Sequence, residues 1–161
     1  MIGAPGSLRV SRIIRADTET LFRAWTDPQV LTHWWRQEGE GWAFAGASID
    51  LRVGGRYRLA MTSPEGKTHA AVGVYREVDR PVRLVFTWDW EDPGRSMGET
   101  LVTVEFKPAG EMLTEVVVTH ERFADMTRMG RHEQGWTELL RLLEGFIGRR
   151  SVAPHDKGGL S

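Results

Sequence analysis

The chain has 161 residues, 40% of them hydrophobic and 27% charged, which favours one globular domain with a single core. Its 21 basic and 22 acidic residues give a formal net charge of -1, which argues against nucleic acid or an acidic membrane surface as the partner. There is no cysteine, which excludes disulfides and thiolate sites, and no apolar run approaches the ~20 residues of a membrane-spanning helix.

The N-terminal part of the chain predicts a flexible start, one strand and two short helices. Residues 1–7 lack the apolar core of a signal peptide, so a cytoplasmic protein without membrane insertion is expected. Apolar and polar residues alternate from Leu8 to Arg15, which predicts a strand whose inner face includes Ile13. Asp17 or Thr18 can cap the first helix, and Asp27-Pro28 can start the second because proline fits the first helical turn.

The middle of the chain predicts about six strands separated by turns. In the clearest of them, hydrophobic residues occupy every second position, which is typical of a sheet with one buried face: Val82, Leu84, Phe86, Trp88 and Trp90. The predicted strand segments are Trp42–Val53 as one or two strands, Arg56–Met61, Thr68–Val78, Val82–Trp90, Leu101–Phe106 and Thr114–Glu121.

The segment Thr127–Gly148 predicts a long amphipathic helix around which the fold is organised. Its apolar stripe cannot face water, and the natural partner is the inner face of an antiparallel sheet. Gly148 predicts the end of the helix, because glycine tolerates a left-handed cap. The stripe comprises Trp136, Leu139, Leu140, Leu143, Phe146 and Ile147. The order of elements predicts an α+β fold in which a curved antiparallel sheet of about six or seven strands wraps the C-terminal helix.

An ordered series of motifs along these elements resembles the bacterial activator of heat shock protein 90 ATPase homologue-like proteins, within the START-like (SRPBCC) superfamily. The motifs are Asp27-Pro28, Trp34-Trp35, Gly41-Trp42, Asp50 to Tyr57, Gly73, Pro81, Leu84 to Trp88, Thr119 to Glu121 and Gly135-Trp136. The resemblance implies a helix-grip fold in a single START-like domain at residues 8–148. A flexible N-terminus at 1–7 and a disordered tail at 149–161 are expected on either side.

The resemblance also implies a cavity between the sheet and the long helix that can admit an apolar or amphipathic small molecule. No cofactor is expected. Aromatic side chains suit the walls of such a pocket, although core packing is the alternative role, above all for Phe86 and Trp136. The residues expected to line it are Trp34, Trp35, Trp42, Tyr57, Met61, Phe86, Trp88, Trp90, His120, Trp136 and Leu140. At the expected entrance this chain has Arg36-Gln37 where the family pattern has Gly-Pro.

His120 is the one candidate for chemistry in this set. It follows Val116 and Val118 on one strand face, so it is expected to point toward the helix. It can be a buried neutral imidazole, a hydrogen-bond donor in the pocket, or the general base of a small cyclase or hydrolase together with Glu105 or Glu121. Binding without catalysis is preferred to the enzyme hypothesis. No metal site is expected, because the histidines lack a close-spaced ligand pattern.

Two further hypotheses concern charged side chains and protein partners. Asp50 and Arg52 are two residues apart and can form an ion pair that braces the Gly54-Gly55 turn, or Arg52 can bind a ligand carboxylate. The family name suggests a module that modulates a chaperone ATPase, and a homodimer is also left open.

Overall fold

The computed structural model describes residues 6–36 and 40–160, and the side chains of its last helix as far as Arg150. Strands and helices follow one another in the predicted order. They are β1 (Leu8–Ile14), α1 (Thr18–Thr26), α2 (Pro28–Leu31), β2 (Ala43–Ile49), β3 (Arg56–Thr62), β4 (Thr68–Asp79), β5 (Arg83–Trp90), β6 (Thr100–Gly110), β7 (Leu113–Glu121) and α3 (Met126–Leu160). Residues 1–5, within the predicted flexible N-terminus, lie outside the described residues, as does Ser161.

The strands form one antiparallel sheet in the order β1-β7-β6-β5-β4-β3-β2. Each of β2 to β6 pairs with the next strand in the chain, and β1 closes the far side by pairing with β7. The sheet is curled into a half-barrel that holds the long C-terminal helix. The predicted α+β helix-grip fold is therefore confirmed.

The helix α3 buries the predicted apolar stripe against the sheet. Leu140 and Leu143 are almost completely buried, and Phe146 is half-buried at the edge of the stripe. Each fully buried leucine or isoleucine contributes roughly 1.5–3 kcal/mol relative to exposure, so this stripe accounts for the position of the helix. The helix continues past Gly148, so the helix end predicted at that residue is wrong; the disordered tail stays a prediction.

The two short helices begin where their acidic caps predict. The Asp17 carboxylate accepts a hydrogen bond from the Thr20 backbone N–H at 2.8 Å, and Asp27 accepts one from Gln29 N–H at 2.9 Å. Pro28 occupies the first turn of α2, where its missing N–H costs nothing. These caps turn the chain twice within about a dozen residues and place the Trp34-Trp35 pair beside the core.

Two details of the predicted faces are wrong. Ile13 is 55% exposed while Ile14 is fully buried, because the alternation that starts at Leu8 places even-numbered residues on the inner face of β1. Arg12 lies on that face, and its guanidinium binds the Glu144 carboxylate of α3 at 2.7 Å. Val82 precedes β5 and is 49% exposed, so the buried alternation of this strand begins at Leu84.

No helix among the described residues is both long and apolar enough to cross a membrane.

Candidate functional site

A cavity of about 470 Å³ opens between the inner face of the sheet, the loop after β5 and the N-terminal half of α3. Its floor is apolar and is formed by Trp35, Met61, Trp88, Trp90, Trp136 and Leu139. Its mouth is polar and is formed by Arg36, Gly94, Arg95, Arg128, Arg131, His132, Gln134, Gly135 and Glu138. The volume falls within the range of about 300–1,000 Å³ that is usual for small-molecule sites.

The floor belongs to a cluster of packed tryptophans. Trp88 lies 5.0 Å from Trp136 between ring centroids, and Trp35 lies 6.0 Å from Trp136. The period of β5 places Trp88 and Trp90 on the inner face at the end of the strand, where the cavity begins. All three rings of the cluster that line the cavity are at most 3% exposed, so each is closely packed on most of its surface.

Two indole N–H groups of this floor have no hydrogen-bond acceptor within the part of the chain that the structure describes. These are Nε1 of Trp35 and Nε1 of Trp88, and both atoms are buried. Buried polar groups are nearly always paired, and an unpaired donor costs about 1–3 kcal/mol. Neither atom is within reach of water in the cavity, so these two donors are an internal cost of the packed floor and not contact points for a ligand.

His120 is completely buried beneath the floor and forms part of a chain of hydrogen bonds. Trp136 Nε1–H donates to Nδ1 of His120 at 3.0 Å, and Thr100 Oγ1 lies 2.7 Å from Nε2. Because the Thr100 hydroxyl donates to the Trp88 carbonyl at 2.7 Å, its oxygen is left to accept from Nε2–H. The pattern assigns a neutral imidazole protonated on Nε2. Burial, reinforced by His132, lowers the pKa of His120 to about 2.

This arrangement does not provide the predicted general base. The lone pair of His120 already accepts the Trp136 N–H, so it cannot also take a proton from a substrate. Glu105 and Glu121 alternate with the buried residues of β6 and β7 and are only half-buried, and Glu105 lies 3.8 Å from Arg83. The structure therefore does not bring His120 together with either carboxylate.

A second histidine, His132 of α3, was not among the predicted site residues and lies in the cavity wall. Trp90 Nε1–H donates to its Nε2 at 3.0 Å, and its Nδ1 lies 2.8 Å from the Arg128 carbonyl. The imidazole is thus neutral with the proton on Nδ1, and burial lowers the pKa of His132 below its ordinary value. Its ring stands perpendicular to that of His120 at 5.3 Å.

These two buried histidines predict a loss of stability in mild acid. A histidine whose pKa is lowered by folding binds fewer protons in the native state, so stability falls as the pH drops below the unfolded value of about 6.5. Between pH 7 and 5.5, His120 alone is expected to cost about 1 kcal/mol, and His132 adds to this cost. This window lies above the range in which carboxyl groups titrate.

Urea unfolding of the wild-type protein at pH 7 and 5.5 measures the effect. His120→Gln cannot titrate and is expected to show a smaller difference between the two pH values. Equal unfolding free energies of the wild type at both values would contradict the assignment of neutral buried imidazoles.

The structure places five of the eleven predicted pocket residues at the cavity. They are Trp35, Met61, Trp88, Trp90 and Trp136. Trp136, for which core packing was the preferred alternative, has both roles, since one face packs in the core while the ring also lines the floor.

The other six predicted pocket residues lie elsewhere. Trp34 is fully buried and donates to the Ala24 carbonyl at 3.1 Å, which makes it part of the core below α1. Trp42 is half-buried beside His69, at 6.0 Å between centroids. His120 is covered by the floor. The remaining three, Tyr57, Phe86 and Leu140, are core residues.

Sequence reasoning missed the polar mouth of the cavity. Arg128, Arg131, His132 and Gly135 are spaced three or four residues apart on one face of α3, and Arg95 lies in the loop after β5. The helical period predicts the apolar stripe and leaves polar residues such as Arg131, Gln134 and Glu138 on the other side of the helix, with no role in a site. The same period marks a second, basic face that begins at Arg128, about two turns before Trp136.

The Asp50–Arg52 ion pair is present but lies in the loop between β2 and β3, not on a strand as expected. Arg52 Nε lies 3.0 Å from an Asp50 carboxylate oxygen, and both side chains are exposed. The pair sits beside the Gly54-Gly55 turn, whose Gly55 N–H donates to the Arg52 carbonyl at 2.8 Å. Among the described residues, no group of three or more histidine or acidic side chains could hold a metal ion.

Comparison with known proteins gives a family and a set of similar folds. A family model described as "Activator of Hsp90 ATPase homolog 1-like protein" matches residues 15–148. A structure of the AHSA1 protein from Silicibacter pomeroyi is 29% identical, with a TM-score of 0.76, over 89% of this chain and 99% of that one. A protein from Chromobacterium violaceum is 26% identical, with a TM-score of 0.76, over 89% and 98% of the two chains. A search of curated proteins gives no match.

Proposed function

The chain belongs to the activator of Hsp90 ATPase homolog 1-like family, and we propose that it binds an amphipathic small molecule in the cavity between the curled sheet and α3. This START-like fold family commonly binds hydrophobic ligands. The observation that carries the proposal for this chain is the cavity itself, with its tryptophan floor and polar mouth.

The floor supplies the free energy of binding. Burial of apolar surface contributes about 25 cal/mol per Å², so a ligand body that buries roughly 200 Å² against the tryptophans gains about 5 kcal/mol before the entropic costs of association. Because Trp35, Trp88 and Trp136 are fixed by their own packing, little side-chain freedom is lost when a ligand enters.

The arrangement supports binding rather than catalysis. Both nitrogens of His120 and of His132 are engaged in hydrogen bonds within the protein. Glu138 is the one carboxylate that lines the cavity in the described part of the chain, and it lies at the mouth. A general acid and a general base on opposite sides of a substrate are not assembled there.

Two glycines of α3 provide a matched test. Gly135 lines the cavity and Gly130 does not, and an added Cβ at either position meets no heavy atom within 4 Å. Gly135→Phe is therefore expected to occupy cavity volume without displacing packed atoms, while Gly130→Phe adds the same ring to the exposed side of the helix. The probe is N-phenyl-1-naphthylamine, an uncharged aromatic whose fluorescence rises in apolar surroundings.

We expect the wild type to bind this probe saturably with one site per chain. Gly135→Phe should weaken binding at least about tenfold, because the added ring occupies space that the ligand needs. The affinity of Gly130→Phe should stay within about twofold of the wild type. Equal affinities of the two variants, or no saturable binding by the wild type, would overturn the proposal.

The predicted protein partners have less structural support than ligand binding in the cavity. A homodimer and a chaperone ATPase stay predictions, and so does the cytoplasmic location. Stimulation of an Hsp90-type ATPase by the purified domain, with Gly135→Phe as active as the wild type, would indicate a function that does not use the cavity.

A further inference from the structure

We propose that the ligand of this cavity is an anion: a carboxylate, sulfonate or phosphate group on an aromatic or cyclic apolar body. This inference rests on the proposed function and specifies the chemical class of its ligand. It is carried by the guanidinium groups at the mouth, which approach the cavity from three separate elements of the fold.

The three elements are the loop after α2, the loop after β5 and the helix α3. They contribute Arg36, Arg95 and Arg131, respectively. Arginine side chains that lie far apart in sequence and meet at one opening produce a local positive field, although the whole chain has a formal charge of only -1. A cleft with low-dielectric walls focuses such a field on the molecule that enters it.

These three arginines have no carboxylate partner within 4 Å among residues 6–36 and 40–150. Arg95 lies over the Trp90 ring, with 5.6 Å from its guanidinium carbon to the ring centroid, and Arg36 makes one long contact of 3.5 Å with the His33 carbonyl. Elsewhere some arginines are paired, as Arg58 is with Glu91 at 2.8 Å, and others such as Arg9 and Arg56 have no carboxylate within 4 Å in the described structure. The mouth is distinguished by the convergence of three such arginines at one opening.

The fourth arginine of the mouth, Arg128, differs from these three because its guanidinium has partners within the protein. Arg128 Nη1–H donates to the backbone carbonyls of Arg95 and Ser96 at 3.0 and 2.8 Å, and its Nε lies 3.8 Å from Asp125. Arg128 therefore fixes the loop after β5 to α3. That contact holds Arg95 at the mouth and leaves its guanidinium available to an anion.

The unpaired donors of the floor do not add to this indication. Trp35 is 1% exposed and Trp88 is 3% exposed, and their indole N–H groups lack acceptors in the described structure. Because both Nε1 atoms are out of reach of a molecule in the cavity, the donors available to a ligand are those of the mouth. Among the described residues that line the mouth, Glu138 is the one carboxylate that opposes an anion. A molecule with a negatively charged oxygen-bearing group matches this pattern, whereas a neutral hydrocarbon leaves it unused.

A pair of probes with nearly the same aromatic body tests the proposal. The anionic one is 8-anilinonaphthalene-1-sulfonate, and the uncharged one is N-phenyl-1-naphthylamine, which lacks the sulfonate. Both are titrated against the wild type, against the double variant Arg36→Gln and Arg131→Gln, and against Arg9→Gln. The last variant removes an exposed arginine of β1 that does not line the cavity.

We expect the wild type to prefer the sulfonate by about tenfold, since charge-assisted hydrogen bonds are stronger than neutral ones. The double variant should lose this preference and keep its affinity for the uncharged probe within about twofold. Arg9→Gln should behave as the wild type. Raising the salt concentration should weaken sulfonate binding alone.

Equal binding of both probes, or a preference that survives the double variant, would overturn the anion proposal and leave the proposed function standing. Binding of neither probe would overturn both. Inorganic phosphate and sulfate, added as competitors at millimolar concentration, distinguish an amphipathic ligand from a free anion. Displacement of the sulfonate probe by phosphate alone would show that the apolar body is not required.

Discussion

Replacement of Trp88 with alanine is expected to lower the free energy of unfolding by about 3–5 kcal/mol, the usual cost of truncating a buried tryptophan. Trp88 is 3% exposed and contacts five other rings in the described structure, with centroid distances of 5.0 Å to Trp136, 5.6 Å to Trp90, 5.8 Å to His120, 6.2 Å to Trp35 and 6.3 Å to His132. Its loss joins the ligand cavity to a new void in the core, which the surrounding rings cannot fill by small movements.

Urea unfolding followed by circular dichroism measures this effect. Trp88→Phe keeps an aromatic ring at the position, so its loss of unfolding free energy is expected to be less than half that of Trp88→Ala. This variant can therefore be used for binding measurements on a folded protein. Val53→Ala is the surface control, because Val53 is 64% exposed and such a change is usually worth less than about 0.5 kcal/mol. A loss below about 1 kcal/mol in Trp88→Ala would show that Trp88 is not packed as described.

Gly73→Ala is expected to destabilise the protein by about 3 kcal/mol or more, which is large for the addition of one methyl group. Gly73 of β4 lies between Tyr57 of β3 and Thr87 of β5, and the Tyr57 hydroxyl donates across it to the Thr87 carbonyl at 2.5 Å. A Cβ at Gly73 would lie 1.9 Å from that carbonyl oxygen and 2.8 Å from Tyr57 Cε2. The backbone itself would have to move.

The same substitution at Gly130 is the matched control. A Cβ there meets nothing within 4 Å, and alanine is favoured over glycine in a helix by about 0.8–1.0 kcal/mol, so Gly130→Ala should stabilise slightly. We therefore expect Gly73→Ala to lower the free energy of unfolding and Gly130→Ala to raise it. Similar unfolding free energies for Gly73→Ala and the wild type would show that Tyr57 does not cross the strand at this point.

Much of the fold could be predicted from the sequence, because its signals are local and periodic. The alternation from Leu84 to Trp88 identifies β5, the Asp17 and Asp27 caps fix the starts of α1 and α2, and the stripe beginning at Trp136 identifies α3. Periodicity alone predicts the buried face less accurately at the ends of strands and helices than at their centres. Ile13 and Val82 are hydrophobic, so the sequence predicts them on buried faces, whereas the strand register places both side chains outward.

The site could be predicted only in part, because a cavity is defined by residues that are distant in sequence. Trp88 and Trp90 stand at the end of a recognised strand, so their placement followed from the period. Tyr57 is an aromatic residue of a predicted strand, as these tryptophans are, but its hydroxyl donates to the Thr87 carbonyl of another strand. Residue spacing cannot reveal such a contact. The arginines of the mouth come from three elements, and their convergence depends on how the loops fold back toward α3.

The most direct test of ligand binding in the cavity is mass spectrometry of the purified protein under native and denaturing conditions, with the solvent extract analysed in parallel. The account predicts that the wild type carries one small molecule per chain that is released on denaturation. Gly135→Phe should carry none, while Gly130→Phe should carry the same molecule. Identical masses under both conditions for the wild type, or a ligand retained equally by Gly135→Phe, would contradict the account.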